Sequence, residues 1–182
     1  KRAGLAVPNS VMLLVAPACC GRNTTMLSAE SGYGDRFFYL LLDDTDIVTG
    51  RHLTKIPKAV EEVCQSLDYT PSAVMICITC VDALLGTDMD RVCRKSSDRA
   101  SVPVVPCYMY ALTREKRLPP MASVRKSVYS LLKPRKRKSD EVNILGYFSP
   151  LQEDCELYSL LKGAGVRKKR ELSRCESLQE YE

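Results

Sequence analysis

Histidine is nearly absent from this chain of 182 residues; His52 stands alone. Catalysis by a Ser-His-Asp or Cys-His pair could therefore draw on that one ring only. No CxxC…CxxC pair occurs, which disfavours a zinc finger. No apolar run approaches the roughly 20 residues of a membrane span, and the start carries no signal-peptide pattern. The Gly-rich dinucleotide fingerprint is missing as well. Gly163-Ala164-Gly165 follows a helical pattern, whereas the fingerprint must follow a strand. Asp43, Asp44 and Asp46 could attract a hard cation, but the glycine and glutamate of a calcium loop are not there, so they read as a solvated loop.

Nine cysteines are present: Cys19, Cys20, Cys64, Cys77, Cys80, Cys93, Cys107, Cys155 and Cys175. The number is odd and no secretory signal accompanies it, so a disulfide framework is disfavoured and a cytoplasmic α/β protein is expected. Most fit the role of small buried hydrophobes, Cys64 and Cys77 above all, because each falls in an apolar pattern. Hydrophobic residues make up 45% of the chain, enough for a real core. The net charge of +5 is local. Lys133 to Lys138 supplies five basic residues and Arg167 to Arg170 four; without them 18 basic residues face 22 acidic ones. Each run could contact phosphate, but no aromatic residues interleave, so solvated surface is the favoured reading and no nucleic acid is expected.

Apolar runs mark strands at Val11–Val15, Phe37–Leu42, Ala73–Ile78, Val102–Val105 and Val142–Tyr147. Pro103 suits an edge position or a strand start. Ile56, Ala59, Val60, Val63, Cys64 and Leu67 recur at helical spacing. Met121, Val124, Val128, Leu131 and Leu132 do so again after Pro119-Pro120. A helix-like segment after Cys80 is interrupted by Gly86, and Asp82, Asp88 and Asp90 suit helix starts. Pro17 and Gly21 predict a tight turn and loop after the first strand, and residues 28–36 and 107–110 also read as loops. Ser149-Pro150 predicts a helix start and Gly163 its end. Ser177 to Glu182 reads as a further helix start. The rhythm predicts a Rossmann-like parallel sheet with flanking helices over 1–140, followed by the start of a second, truncated Rossmann-like unit over 141–182. The beginning reads like the middle of a longer chain.

Cys19 and Cys20 stand at the carboxyl end of the first strand, and Cys80 at the end of the central one. If both strands lie in one parallel sheet, these cysteines share a rim, which is a plausible geometry for a thiolate-bound metal or iron–sulfur cluster. Buried cysteines in turns compete with that reading.

The segment Ile78-Thr79-Cys80-Val81-Asp82-Ala83-Leu84-Leu85-Gly86-Thr87-Asp88-Met89 resembles the "STCP-x-x-LIGDDI" segment of the nitrogenase component 1 family. Val15-Ala16-Pro17-Ala18-Cys19-Cys20 resembles its "HGP-x-GC" turn, Val102–Val105 its "IPVV" strand, and Val142–Gly146 its "VNIIG" strand. The resemblance implies several Rossmann-like domains and an iron–sulfur cluster of the 4Fe-4S type or larger. That cluster is shared with a homologous component 1 subunit in a homo- or heteromer, and an ATP-dependent iron protein delivers electrons to it. By position Cys20 and Cys80 match the family's ligands. Cys19 stands where the family has glycine and is an alternative ligand. Val15-Ala16 replaces His-Gly, Val81 replaces a proline, and a third family cysteine would lie before Lys1. These departures favour a divergent member over a nitrogenase proper. The implied activity is oxidoreductase; a cofactor-assembly scaffold of the same family, or an α/β interaction domain with structural cysteines, is the alternative.

Overall fold

A computed structural model describes residues 2–108, 118–134 and 141–182. Two apolar runs make its centre. The strands β1 (Val11–Ala16) and β3 (Val74–Ile78) are buried at every position. A strand covered on both faces needs near-continuous apolar side chains, and VMLLVA and VMICI supply them. β2 (Phe37–Leu41) and β4 (Val104–Tyr108) flank them, giving a four-stranded, all-parallel sheet of order β2-β1-β3-β4. Both outer strands are only partly buried, as edges should be. The Val74 amide donates to the Pro103 carbonyl at 2.8 Å. Alternation along the strand then turns Pro106 to the open side. Its missing N–H blunts an edge that would otherwise invite pairing.

Alternate side chains of β1 feed two cores. Val11, Leu13 and Val15 meet Ile56, Val60 and Val63 of α4 (His52–Ser66) and Val92 and Cys93 of α6 (Met89–Ala100). Met12, Leu14 and Ala16 meet Val124 and Val128 of α7 (Pro120–Tyr129) on the other face. The helical spacings read from the sequence are these contact faces, except that Met121 at the start of α7 is exposed. Gly86, at φ +64, separates α5 (Cys80–Leu85) from α6, a backbone conformation that glycine adopts without penalty. Asp88 then caps α6 by accepting from the Arg91 amide at 3.0 Å.

Residues 28–30 end a helix where a loop was expected, the strand expected over Val142–Tyr147 stops at Ile144, and a strand, Lys168–Glu171, forms where only a charged stretch was expected; four further differences have a local physical reason. The expected loop after β1 is α2 (Ala18–Glu30), with Pro17 as its N-cap residue. This helix has no apolar stripe, and its hydroxyls are satisfied within it. Thr25 Oγ1 donates to the Gly21 carbonyl at 3.1 Å and Ser28 Oγ to the Thr24 carbonyl at 2.9 Å. The triad Asp43, Asp44 and Asp46 opens a short helix, α3 (Asp44–Val48), in place of a solvated loop. Cys107 and Tyr108 belong to β4, because they pair with Cys77 and Ile78. Finally, Pro150 does not begin a helix. The Leu151 carbonyl, which a helix would aim at residue 155, accepts from Arg174 Nη2 at 2.6 Å, and its amide donates to Glu171 Oε2 at 2.9 Å. Helix α8 (Glu156–Gly163) starts after Cys155 instead. Residues 109 and 110, and 135–140 of the basic run, lie outside the described residues.

Past residue 140 the chain forms β5 (Glu141–Ile144), α8 and β6 (Lys168–Glu171), a parallel pair with a helical crossover. Glu141 bridges Lys168 at 3.3 Å and Arg170 at 2.8 Å across this pair. Leu172, Leu178 and Tyr181 then return to the second core. The last two belong to α9 (Leu178–Tyr181), whose cap is Ser177, as read from the sequence. Among the described residues no helix is long and apolar enough to cross a membrane.

Candidate metal centre

The order β2-β1-β3-β4 has a consequence for chemistry. The chain leaves β1 for β2 on one side, then returns past β1 to β3 on the other. Between the carboxyl ends of β1 and β3 the connections diverge, and open α/β sheets bind their ligands in such a crevice. β1 runs into α2, whose first turn carries Cys19 and Cys20. β3 runs through Thr79 into α5, whose first residue is Cys80. Val15 is registered with Ile78, so the two exits are side by side.

Two of the three thiols are in contact there, with Cys80 nearby. Cys19 Sγ lies 3.8 Å from Cys20 Sγ, and Cys80 is near enough to act on the Cys20 thiol electrostatically. Cys19 is exposed, while Cys20 and Cys80 are half-buried. Burial pushes the Cys20 thiol above its ordinary value, and Cys19 and Cys80 push it the same way. A soft metal binding here must therefore expel a proton from Cys20. Among the described residues no group of three or more His, Cys, Asp or Glu side chains is arranged to hold a metal ion. The pair Cys20 and Cys80, with Cys19 beside it, is a partial donor set.

Three residues support this corner, of which sequence patterns marked only Gly21, and that as part of a loop. Tyr39 of β2 directs its hydroxyl to the Pro17 carbonyl at 2.7 Å and the Ala16 carbonyl at 3.1 Å, pinning the strand-to-helix turn. Burial, then Cys19 and Cys20, hold its phenol above the usual range. Gly21 lies against that ring: a Cβ there would meet Tyr39 Cε1 at 2.6 Å. Among the described residues Thr79 Oγ1, like Ser173 Oγ, is buried and has no hydrogen-bond partner. Legible beforehand were Tyr39's position in the apolar FFYLL run, Gly21 as a turn residue and Thr79 as the residue before Cys80; their support of the corner was not.

The other candidates sit elsewhere in the fold. His52 is buried, with Nδ1 3.1 Å from the Asp46 carbonyl and Nε2 3.5 Å from Thr87 Oγ1. Asp46 is fully buried in a capping box with Asp43, accepting from Lys55 Nζ at 2.5 Å and Arg51 Nε at 3.0 Å. The Lys55 hydrogen bond chiefly, with the Asp43 amide and Arg51, holds its carboxyl at about 2. These cations occupy the oxygens that a hard metal would need. Cys77 and Cys107 are fully buried core residues, and Cys64 is half-buried.

The family model described as nitrogenase component 1 type oxidoreductase matches residues 1–182. The chain belongs to this family. The nitrogenase iron-molybdenum cofactor biosynthesis protein NifE of Rhizobium meliloti (strain 1021) is 30% identical over 168 residues, 88% of this chain and 35% of that protein. The NifE protein of Mesorhizobium japonicum is 29% identical over 162 residues, 85% of this chain and 32% of its own length. The nitrogenase molybdenum-iron protein alpha chain of Methanosarcina barkeri is 33% identical over 109 residues, 55% of this chain and 20% of that one. The chain thus spans about a third of the length of the first two relatives. A solved structure of nitrogenase Cp1 at pH 6.5 superposes with a TM-score of 0.69 at 18% identity, covering 96% of this chain and 38% of that one. That likeness establishes the shared fold.

The donor chemistry at the rim fits the group that membership in this family implies. Thiolates are soft ligands suited to iron–sulfur clusters. A partial set from one chain suits a site completed by a second.

Proposed function

We propose that this chain is part of a component 1-type subunit whose Cys20 and Cys80 hold an iron–sulfur cluster of the 4Fe-4S type or larger, with Cys19 as the alternative ligand. The observation that carries the reading is the approach of the Cys20 thiol to both Cys19 and Cys80 at the switch point of the sheet. The remaining ligands come from a homologous subunit across an interface at this rim. Bound there, the cluster supplies one-electron transfer at low potential, with electrons drawn from an ATP-dependent iron protein. The chain's own part is to hold two or three thiolates at the ends of rigid strands and to shield them. Tyr39 fixes the turn before Cys19 and Cys20, and half-burial of Cys20 and Cys80 lowers the local polarity around the bound group. We assign residues 1–140 to the cluster-bearing unit and 141–182 to the opening of a second Rossmann-like unit in a cytoplasmic protein.

A second reading has support of its own. The relatives from Rhizobium meliloti and Mesorhizobium japonicum, which align over most of this chain, are named as cofactor biosynthesis proteins. In that role the subunit carries a cluster or its precursor without turning over a substrate.

Iron and acid-labile sulfide in the anaerobically prepared full-length protein, with its partner subunit, test the cluster. Stoichiometric iron lost in Cys20→Ala and in Cys80→Ala is the expected result. Iron-free protein, or iron indifferent to both changes, overturns the assignment. Turnover with an iron protein and ATP then separates the reductase from the scaffold.

A further inference from the structure

Cys19 and Cys20 are neighbours in sequence and in space, and their spacing carries a chemistry that the pairing of Cys20 with Cys80 does not use. Their sulfurs are 3.8 Å apart. Two thiolates bound to one tetrahedral ion through bonds of about 2.3 Å also stand about 3.8 Å apart. A 4Fe-4S cluster takes four cysteines for four irons, so any two of its ligands bind different irons and their sulfurs lie farther apart. The vicinal pair is therefore spaced for a single ion.

The surrounding chain holds the pair in place and leaves it open. The Cys20 and Gly21 amides both donate to the Pro17 carbonyl, at 3.1 and 3.2 Å. The Tyr39 hydroxyl donates to the same carbonyl, and its ring lies against Gly21. Cys19 is exposed, so an ion can reach the pair from solvent. Soft thiolates disfavour magnesium and calcium, and zinc binds them more tightly than ferrous iron does. We propose that Cys19 and Cys20 together chelate one zinc ion at the carboxyl end of β1. Two coordination positions remain. Cys80, nearby, can take one, and water or a donor from outside the chain fills the other. The zinc site does not rest on the cluster assignment above. The two loads share Cys20, so each excludes the other.

Cobalt(II), which colours tetrahedral thiolate sites, is the probe, added anaerobically to the full-length protein freed of metal. One equivalent should bind with the visible bands of a tetrahedral thiolate site, and zinc should displace it. Cys19→Ser changes an exposed side chain and leaves the core alone. It should weaken cobalt binding by at least about tenfold, since losing a mere outer partner of a ligand already costs about 10–100-fold. Cys20→Ser should do the same. Cobalt that binds Cys19→Ser as tightly as the parent protein overturns the pair. So does the absence of binding, or bound cobalt without tetrahedral thiolate bands. Zinc loaded first should block assembly of the cluster; a full complement of iron and sulfide beside one bound zinc overturns the shared use of Cys20 and with it the pair. Protein that never takes up iron and sulfide, yet binds cobalt through Cys19 and Cys20, fails the cluster assignment and supports the zinc site.

Discussion

Gly21→Ala puts the packing behind the cysteines to a quantitative test. Gly21 is in the first turn of α2, next to Cys20. Alanine is the better helix former by about 0.8–1.0 kcal/mol, so propensity alone predicts a more stable protein. Contact with Tyr39 predicts the reverse. The new Cβ would sit 2.6 Å from Cε1 and closer still to Cζ and Oη, where carbon atoms rest at roughly 3.5–4.0 Å. The ring or the helix must move by about 1.5 Å. Overpacking of this kind costs about 1–3 kcal/mol. A displaced ring also loses its hydrogen bonds to the Ala16 and Pro17 carbonyls, about 0.5–1.5 kcal/mol more. The net expectation is a loss of about 2 kcal/mol, read as a lower urea midpoint at unchanged slope. The decisive arm is the same change in a Tyr39→Ala background. With the ring gone only propensity remains, and Gly21→Ala becomes stabilising by about 1 kcal/mol. A coupling of about 3 kcal/mol between the two positions follows, near the upper end of what contacting pairs show. Equal losses in both backgrounds, or a stabilising Gly21→Ala in the native one, would refute the argument from close approach.

Two further outcomes follow from the sheet and its flank. Ile76 is fully buried at the middle of β3, and Ile76→Ala should lower stability by about 2–5 kcal/mol in the same unfolding assay; a loss under about 1 kcal/mol would mean that the core collapses around the cavity. Asp46 titrates at about 2 in the folded protein against an ordinary 3.8, so it contributes stability above about pH 4 that drains away as pH falls towards 2. Asp46→Asn should flatten the fall of the urea midpoint in that window, and parallel pH profiles for the two proteins would contradict the ion-pair network with Lys55 and Arg51.

Much of this architecture can be read from local pattern. VMLLVA and VMICI announce doubly covered strands because a parallel sheet leaves no solvated face. The spacing of Ile56, Val60 and Val63 gives the inner face of α4 because the helical period is a property of the chain itself. The two cysteine motifs and their likeness to the component 1 family were visible for a related reason: short segments at strand ends keep their residue order. What local pattern missed is also consistent. Helix α2 carries hydroxyls in place of an apolar stripe, so its period is silent. Asp46 looks solvated beside Asp43 and Asp44, and only Lys55, nine positions on, and Arg51 make it a buried ion-pair centre. Leu151 is drawn away from a helix by Glu171 and Arg174, two distant partners. The sequence by itself determined the two central strands and the cysteines that stand at their ends. That Cys20 lies near Cys80, with Tyr39 behind the turn, depends on β1 and β3 being neighbours at the point where the connections diverge. Strand order is the sum of many packing contacts between segments far apart in the chain, and only the tertiary structure decides it.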